Sequence, residues 1–511
     1  MYCSVKTAVL TGIESKIVTC ESDVSNGLPY FAIVGLLSTE VKESRERVKT
    51  ALKNSHVRLP TSKITVNISP ASIRKSGTGF DLPIAVSIMG ATNQVSTKQL
   101  DEVLMIGEMT LSGEILPVKG VLSAAISCKE ANIPYILVPK DNAPEASLIP
   151  DIKVIPVSHL RDVISIFRDE TDLDTLLFHP DGKKHKINTC SKDFKDLKGN
   201  RHMRRALEVA VSGMHNLLMI GPPGAGKTMA ASCVPSILPP MTPEEKIEIS
   251  KIYSAAGLFQ ENNSLIEERP FRAPHNTISK YGLVGGGASP LPGEITLSSG
   301  GVLFLDEILE FKKDSLDLLR QPMEDHVITI SRSKNQITYP ADFMLIAASN
   351  PCPCGHFPDL KKCHCSETEI HRYLSRLSGP LMDRIDITVS AHPLTLKEMS
   401  STEENEDSKT IQKRVMEALM IQKERFKGTE ILFNSRIPSS KIETYCSLKD
   451  DVKDYLTKRL ESIDISMRAY NKLLKISRTI ADLDSSKDIE RKHLDEGIMY
   501  IMKGRQWQSI F

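Results

Sequence analysis

Lys63-Ile64-Thr65-Val66-Asn67-Ile68 alternates apolar and polar residues, the two-residue period of a strand with one buried face. Val41 to Asn54 is charged with spaced apolar residues and predicts a helix. Pro134 to Pro139 is a short apolar run between prolines and predicts a buried strand. Residues 1–170 therefore mix strands and helices, as an α/β or α+β domain does. From 201 to 395, three apolar runs predict further buried strands: Asn216 to Ile220, Gly300 to Leu305 and Phe343 to Ala348. Val327 to Tyr339 carries two β-branched runs around a polar, basic tip, a hairpin pattern. Ser401 to Ser408 is polar and predicts a loop. After it, apolar residues at three-and-four spacing predict helices, clearest over Asp450–Ser462 and Arg468–Leu483. The chain thus divides into 1–170, a basic linker 171–200, an α/β block 201–395 and a helical region 396–511, with no internal repeat of solenoid period.

Composition changes this picture little. In 511 residues, 40% are hydrophobic and 25% charged, values that exclude disorder over most of the length. No apolar run is long enough to cross a membrane, and Met1 to Lys6 lacks a signal-peptide pattern, so a cytoplasmic protein is expected. The charge balance, 65 Lys+Arg against 64 Asp+Glu, gives no global attraction to nucleic acid. Any such binding must use local basic features. From Lys183 to Arg205 nine Lys/Arg face two Asp, either a solvated connector or a phosphate-contacting arm.

The chemistry concentrates in the α/β block. Gly221-Pro222-Pro223-Gly224-Ala225-Gly226-Lys227-Thr228 fits G-x-x-x-x-G-K-[ST], after a predicted strand and before helix-compatible Met229 to Ser232. Such a loop turns its N–H groups around phosphates, and the following helix aims its positive end at them. Lys227 would reach the β- and γ-phosphates and Thr228 would ligate Mg²⁺. Asp306, 79 residues after Lys227, ends an apolar strand where a Mg²⁺-binding carboxylate belongs, with Glu307 placed to activate the attacking water. The pair implies hydrolysis of ATP. Asn350, at the end of the third strand, is a candidate to bond the γ-phosphate or the water.

Several longer runs carry a family resemblance: Arg205-Ala206-Leu207-Glu208-Val209-Ala210, His215-Asn216-Leu217-Leu218, Arg269-Pro270-Phe271-Arg272-Ala273-Pro274-His275, Asn350-Pro351-Cys352-Pro353-Cys354-Gly355, Ser378 to Asp386 and Ser477 to Leu483. Together they resemble the ComM/YifB family of magnesium-chelatase-like AAA+ ATPases, over nearly the whole chain. His275-Asn276 departs from the paired histidines usual there, so Asn276 receives no role. The resemblance implies an AAA+ P-loop core, a mostly helical lid, and an N-terminal α+β domain like that of Lon protease (a ribosomal-S5-like fold). It also implies a DNA branch-migration motor built as a homo-hexameric ring. Arg384 matches an arginine finger for the neighbouring subunit's γ-phosphate, and Arg468 matches a sensor-2 arginine acting in its own subunit or the next. In related motors a hairpin like Val327–Tyr339 projects into the pore, which makes Arg332 and Lys334 candidates for sequence-independent DNA phosphate contacts. Arg272 and Lys280, around a glycine-rich insert, are second candidates.

Two features stand apart. Cys352-x-Cys354 and Cys363-x-Cys365 place four thiols within residues 352–365, a set that can close a structural Zn²⁺ site. His356 and His364 are alternative ligands. Gly107 to Val118 resembles the Lon proteolytic domain, whose chemistry needs a Ser–Lys dyad. The register that aligns the lysine puts Gly79 at the nucleophile position, and the stretch after Leu116-Pro117 is too short for the catalytic lysine. The block therefore is expected to be non-catalytic, with Ser76 beside Lys75 or Lys119 as the remote alternative dyad. Competing functions are a chelatase-type ATPase remodelling a protein partner for metal insertion, and an ATP-dependent peptidase.

Overall fold

Strand β1 (Tyr2–Thr11) buries Cys3, Val5, Thr7 and Val9 on one face, so a period of two lays it on a core. Strand β2 (Glu14–Ser25) returns antiparallel along its whole length. The sheet continues through β3 (Tyr30–Val34) at one edge and β4 (Lys63–Ser69), whose Ile64, Val66 and Ile68 point inward as the alternation predicts. Helix α1 (Thr39–Asn54) buries Val41, Val48 and Leu52 at helical spacing. Helix α2 (Asp81–Ala91) is buried along its whole length, and its sequence accordingly shows no apolar stripe. Strand β5 (Val103–Met105), the short ribbon β6 (Glu108–Met109) and β7 (Ile115–Leu116), α3 (Val121–Glu130), β8 (Tyr135–Pro139), α4 (Ala143–Ala146), β9 (Lys153–Val157) and α5 (Leu160–Arg168) complete this part. Seven strands form one mixed sheet, in the order β3-β4-β2-β1-β5-β8-β9.

The computed structural model describes residues 1–180, 192–259, 264–287, 290–332, 335–393, 395, 405–461 and 465–508. Lys183, Lys184 and Lys186 of the basic stretch lie outside them. The flanks of that stretch are packed: Leu173 and Phe178 against the first sheet, Phe194 and Leu197 into the second core.

In the second part, α6 (Arg201–Gly213) leads into β10 (Leu217–Ile220), then α7 (Lys227–Cys233) and α8 (Pro243–Ala256). A Thr242/Glu245 capping box, with Pro243 in the first turn, starts α8. Gly257, at φ +74, ends it in the left-handed conformation. Then come β11 (Phe271–Arg272), the ribbon β12 (Gly285–Gly286) and β13 (Leu291–Pro292), β14 (Val302–Leu305), the hairpin β15 (Val327–Arg332) and β16 (Asn335–Pro340), β17 (Met344–Ser349) and β18 (Ile387–Ser390). Five strands form a parallel sheet in the order β11-β14-β17-β10-β18. Every residue of β10, β14 and β17 is buried, which is why their sequences are continuous apolar runs. The helices Ser408–Arg425, Met467–Leu483 and Arg491–Gln508 share one hydrophobic core with α6 and this sheet.

The two parts meet at the turn between β1 and β2. Ile13 is buried in the same cluster as Ile252 of α8 and Tyr339 of β16. Gly12, at φ +70, sits against Ile337 of the hairpin, with 3.0 Å between its Cβ position and Ile337 Cγ2. Lys251 Nζ pairs with Glu14 at 2.6 Å and with Glu248 at 3.1 Å, and Gly120 N–H donates to Ser254 O at 3.2 Å. Among the described residues, no helix is long and apolar enough to cross a membrane.

Candidate nucleotide site

Strands β10, β14 and β17 lie side by side and parallel, so the residues that follow them gather at one sheet edge. Ligands bind at the carboxyl ends of such strands. Residues 221–228 follow β10. Gly224 and Gly226 adopt φ +75 and +81, which only glycine takes without strain, and among the described residues the Cβ position of Gly224 has no neighbour within 4 Å. Gly221 has no room for a side chain, because a Cβ would run into Ala391 O beyond β18. Pro222 and Pro223 stiffen the loop entry, and Ala225 is buried. Asn200 clamps the loop from outside, donating from Nδ2 to Ala225 O at 3.1 Å and His392 O at 3.0 Å.

Lys227 Nζ donates to Gly221 O at 2.6 Å, Pro222 O at 3.0 Å and Asn350 Oδ1 at 3.2 Å. Burial pushes its ammonium pKa down, against the opposing pull of Asp306 and Glu307. Thr228 Oγ1 donates to Asp306 Oδ2 at 2.7 Å, so a hydroxyl and a carboxylate are paired as oxygen donors for Mg²⁺. Glu307 is held at φ +49, in the left-handed region, with its N–H on Asp306 Oδ1 at 3.0 Å. A non-glycine residue kept there is strained, as groups at reaction centres often are. Direct hydrogen bonds thus pair Lys227 with Asn350 and the adjacent Thr228 with Asp306, and Glu307 follows Asp306 in the chain.

Arg384 and Arg468 sit elsewhere. Both guanidinium groups meet Glu324: Arg384 through an ion pair and Arg468 at 3.3 Å. Arg384 also donates to Pro380 O at 2.6 Å, and its buried Nε has no partner among the described residues. The loop bearing Arg384 is fastened to the strand that precedes the phosphate loop. Asn216 Nδ2 donates to Arg384 O at 3.0 Å, while Asn216 N–H donates to Asp386 Oδ2 at 3.0 Å. Leu345 N–H of β17 donates to Asn216 Oδ1 at 2.9 Å. His215 shares a 2.8 Å hydrogen bond with Thr479 of the lid. Burial would raise the Asp386 carboxyl, but the His215 hydrogen bond, Lys472 and the Asn216 N–H together hold it at about 2. In the same lid helix, buried Asp482 receives Arg425, Arg478 and Asn434. The His215-Asn216 and Ser477–Leu483 runs are therefore structural.

Sequence reasoning missed Glu324 and Asn200, because only tertiary structure brings them to these partners. A lone acid after Pro322-Met323 and an asparagine in a basic stretch carry no local signal. Arg332 lies on β15, and Lys334 is outside the described residues. Arg272 is engaged by Glu294 through two 2.7 Å hydrogen bonds, and Lys280 pairs with Asp314 at 3.0 Å.

The four sulfurs of Cys352, Cys354, Cys363 and Cys365 lie within 4.8 Å of one another. Separations of 3.3, 3.8 and 3.6 Å link Cys352, Cys354 and Cys363. Tetrahedral zinc, with Zn–S bonds of about 2.3 Å, spaces its sulfurs by roughly 3.8 Å, so the donor set fits. The backbone N–H of Phe357 donates to Cys352 Sγ at 3.4 Å, an outer-shell bond of the kind that orients a ligand. The backbone N–H of His356 draws the Cys354 thiol down to about 6. In the first sheet, the alternative dyad finds no support. Lys75 is fully buried with its Nζ on Pro70 O, and the Lys119 stem lies against Gly257 of α8.

A glycine-rich loop on a central parallel strand, a Thr–carboxylate pair beside it and a polar residue on the neighbouring strand define a P-loop ATPase, served by ATP and Mg²⁺. Comparison with known proteins gives the family. Residues 193–399 match the model "Magnesium chelatase, subunit ChlI", residues 20–142 "Subunit ChlI of Mg-chelatase", and residues 405–501 "Magnesium chelatase, subunit ChlI C-terminal". The competence protein ComM of Haemophilus influenzae is 40% identical over 98% of this chain and 97% of its own. The protein YifB of Salmonella typhimurium is 39% identical over 97% and 96%. A Lon protease of Mycoplasma mycoides is 25% identical over 32% of this chain and 22% of its own. The chain belongs to the ComM/YifB family of magnesium-chelatase-like AAA+ ATPases.

Proposed function

We propose that this ATPase is a ring motor that moves branched or single-stranded DNA, by branch migration or unwinding, in recombination or natural transformation. The observation that carries the reading is the position of the β15–β16 hairpin. It connects strand β14, which ends at Asp306 and Glu307, to strand β17, which ends at Asn350. Residues 306–326 lead from the hydrolytic edge into the first strand of the hairpin, and its second strand runs through residues 341–343 into the amino end of β17, so changes at that edge on hydrolysis would reach the hairpin through 306–326 and along β17. Arg332 and Lys334 would contact DNA phosphates, which carry affinity without sequence information. The arginines support assembly. Arg384 and Arg468 converge on Glu324 and not on Asp306 or Glu307 of their own chain, and Arg384 keeps a buried Nε with no partner among the described residues. In a homo-oligomeric ring, a hexamer, Arg384 completes the neighbouring site and stabilises transition-state charge. Zinc on the four cysteines is structural, because four protein sulfurs leave no open position.

The test is ATPase activity with and without forked DNA, together with strand displacement. DNA-stimulated turnover and displacement are expected. A second reading, a chelatase-type ATPase remodelling a protein for metal insertion, draws on the magnesium-chelatase family models. Turnover stimulated by a protein partner and indifferent to DNA would favour it.

A further inference from the structure

The cysteine cluster adjoins the phosphate loop. Cys352 is fully buried and lies two residues beyond Asn350, whose Oδ1 accepts from Lys227 Nζ at 3.2 Å. Gly355, at φ +80, lies against Pro223 of the phosphate loop, where a Cβ would stand 2.5 Å from Pro223 Cδ. The segment 350–355 thus touches the loop at Lys227 and again at Pro223. Residues 351–366 contain no helix or strand, only turns such as Gly355 N–H on Cys352 O at 2.9 Å and Cys363 N–H on Asp359 O at 2.8 Å. A segment so poor in backbone ladder needs a cross-link to hold one conformation. The four sulfurs are the groups placed to supply it.

We propose that zinc on Cys352, Cys354, Cys363 and Cys365 braces the phosphate loop, so that metal occupancy sets nucleotide affinity. The proposal rests on the zinc reading above. With the metal bound, the 352–355 turn is fixed, Gly355 stays against Pro223 and Asn350 stays beside Lys227. Without it, the four sulfurs within 4.8 Å of one another are no longer tied together and the turn, which has no helix or strand to hold it, samples other conformations. Nucleotide then binds only the fraction of molecules with the loop in place. If that fraction falls to about a tenth, the apparent Kd rises roughly tenfold.

The test uses the full-length chain and two readouts. Zinc content is measured by plasma mass spectrometry before and after treatment with a zinc-selective chelator, and the Kd for a fluorescent ATP analogue is measured in Mg²⁺ after chelator removal. One zinc per chain is expected, with a roughly tenfold or greater rise in Kd on its removal and recovery on re-addition. Cys363→Ser and Cys365→Ser alter the two sulfurs farthest along the chain from Asn350 and should reproduce the rise. Protein that neither carries nor binds zinc overturns the zinc reading. Protein that carries zinc yet binds the analogue equally well when stripped overturns the brace and leaves the zinc reading standing. Should the stripped protein or the cysteine variants unfold, Gly355→Ala decides: it keeps all four sulfurs but puts a methyl group into Pro223. Weaker nucleotide binding at full zinc content supports the brace, and unchanged binding counts against it.

Discussion

Replacing Asp386 by Asn removes the charge that fastens the Arg384 loop to strand β10 and to the lid. In the folded chain this carboxyl is held at about 2, against an ordinary value of 3.8, in spite of its burial. That difference corresponds to roughly 2 to 2.5 kcal/mol of stability at neutral pH. The asparagine amide can still accept from Asn216 N–H, so the loss is electrostatic, felt at His215 and at Lys472, whose Nζ donates to Ile385 O at 2.6 Å. For a unit of this size, a change of that order lowers the melting temperature by about 3–5 °C. The sign with pH follows from the depressed folded value. The stabilisation is present above the unfolded pKa and is lost as pH falls through the folded one. Thermal scans of wild type and Asp386→Asn at pH 8 and pH 5 should therefore show the same gap, narrowing only below pH 4. A gap under about 1 °C at pH 8, or one that closes between pH 8 and pH 5, would refute this account of the network.

Glu307→Gln should retain ATP while turnover falls by about 10²–10⁴-fold, as loss of a general base does; normal turnover would remove Glu307 from water activation. Arg384→Ala should be inactive alone and regain turnover when mixed with Glu307→Gln, because roughly a quarter of interfaces in a random ring then pair an intact Glu307 with an intact Arg384. No recovery in rings shown to be mixed would place Arg384 outside the neighbour's site. Arg332→Ala with Lys334→Ala should weaken DNA binding and flatten its dependence on log salt by about 0.9 for each phosphate no longer neutralised. An unchanged slope would move DNA binding off the hairpin.

The phosphate loop and the Asp306-Glu307 pair were legible in the sequence because each is contiguous, and the strands carrying them because their burial is total. An apolar run such as Val302–Leu305, short and bounded by Gly300-Gly301 and the carboxylate pair, suits a strand buried on both faces. The alternation in Lys63–Ser69 was equally local. What escaped depends on partners far apart in the chain. Glu324 meets Arg468 across 144 residues, and Ile13 enters a cluster built from residues beyond 218. The proximity of Gly355 to Pro223 was invisible for the same reason. The His215-Asn216 and Ser477–Leu483 runs marked the family without revealing their task, which is to lock strand, arginine loop and lid together.

The central claim is that hydrolysis at Lys227, Thr228, Asp306 and Glu307 is spent on DNA. A forked-DNA unwinding assay, with ATP and with Lys227→Ala as the control, tests it most directly. The account predicts ATP-dependent strand displacement by the wild-type chain and none by the variant. ATP turnover that is unaffected by DNA, with no strand displaced, would contradict it.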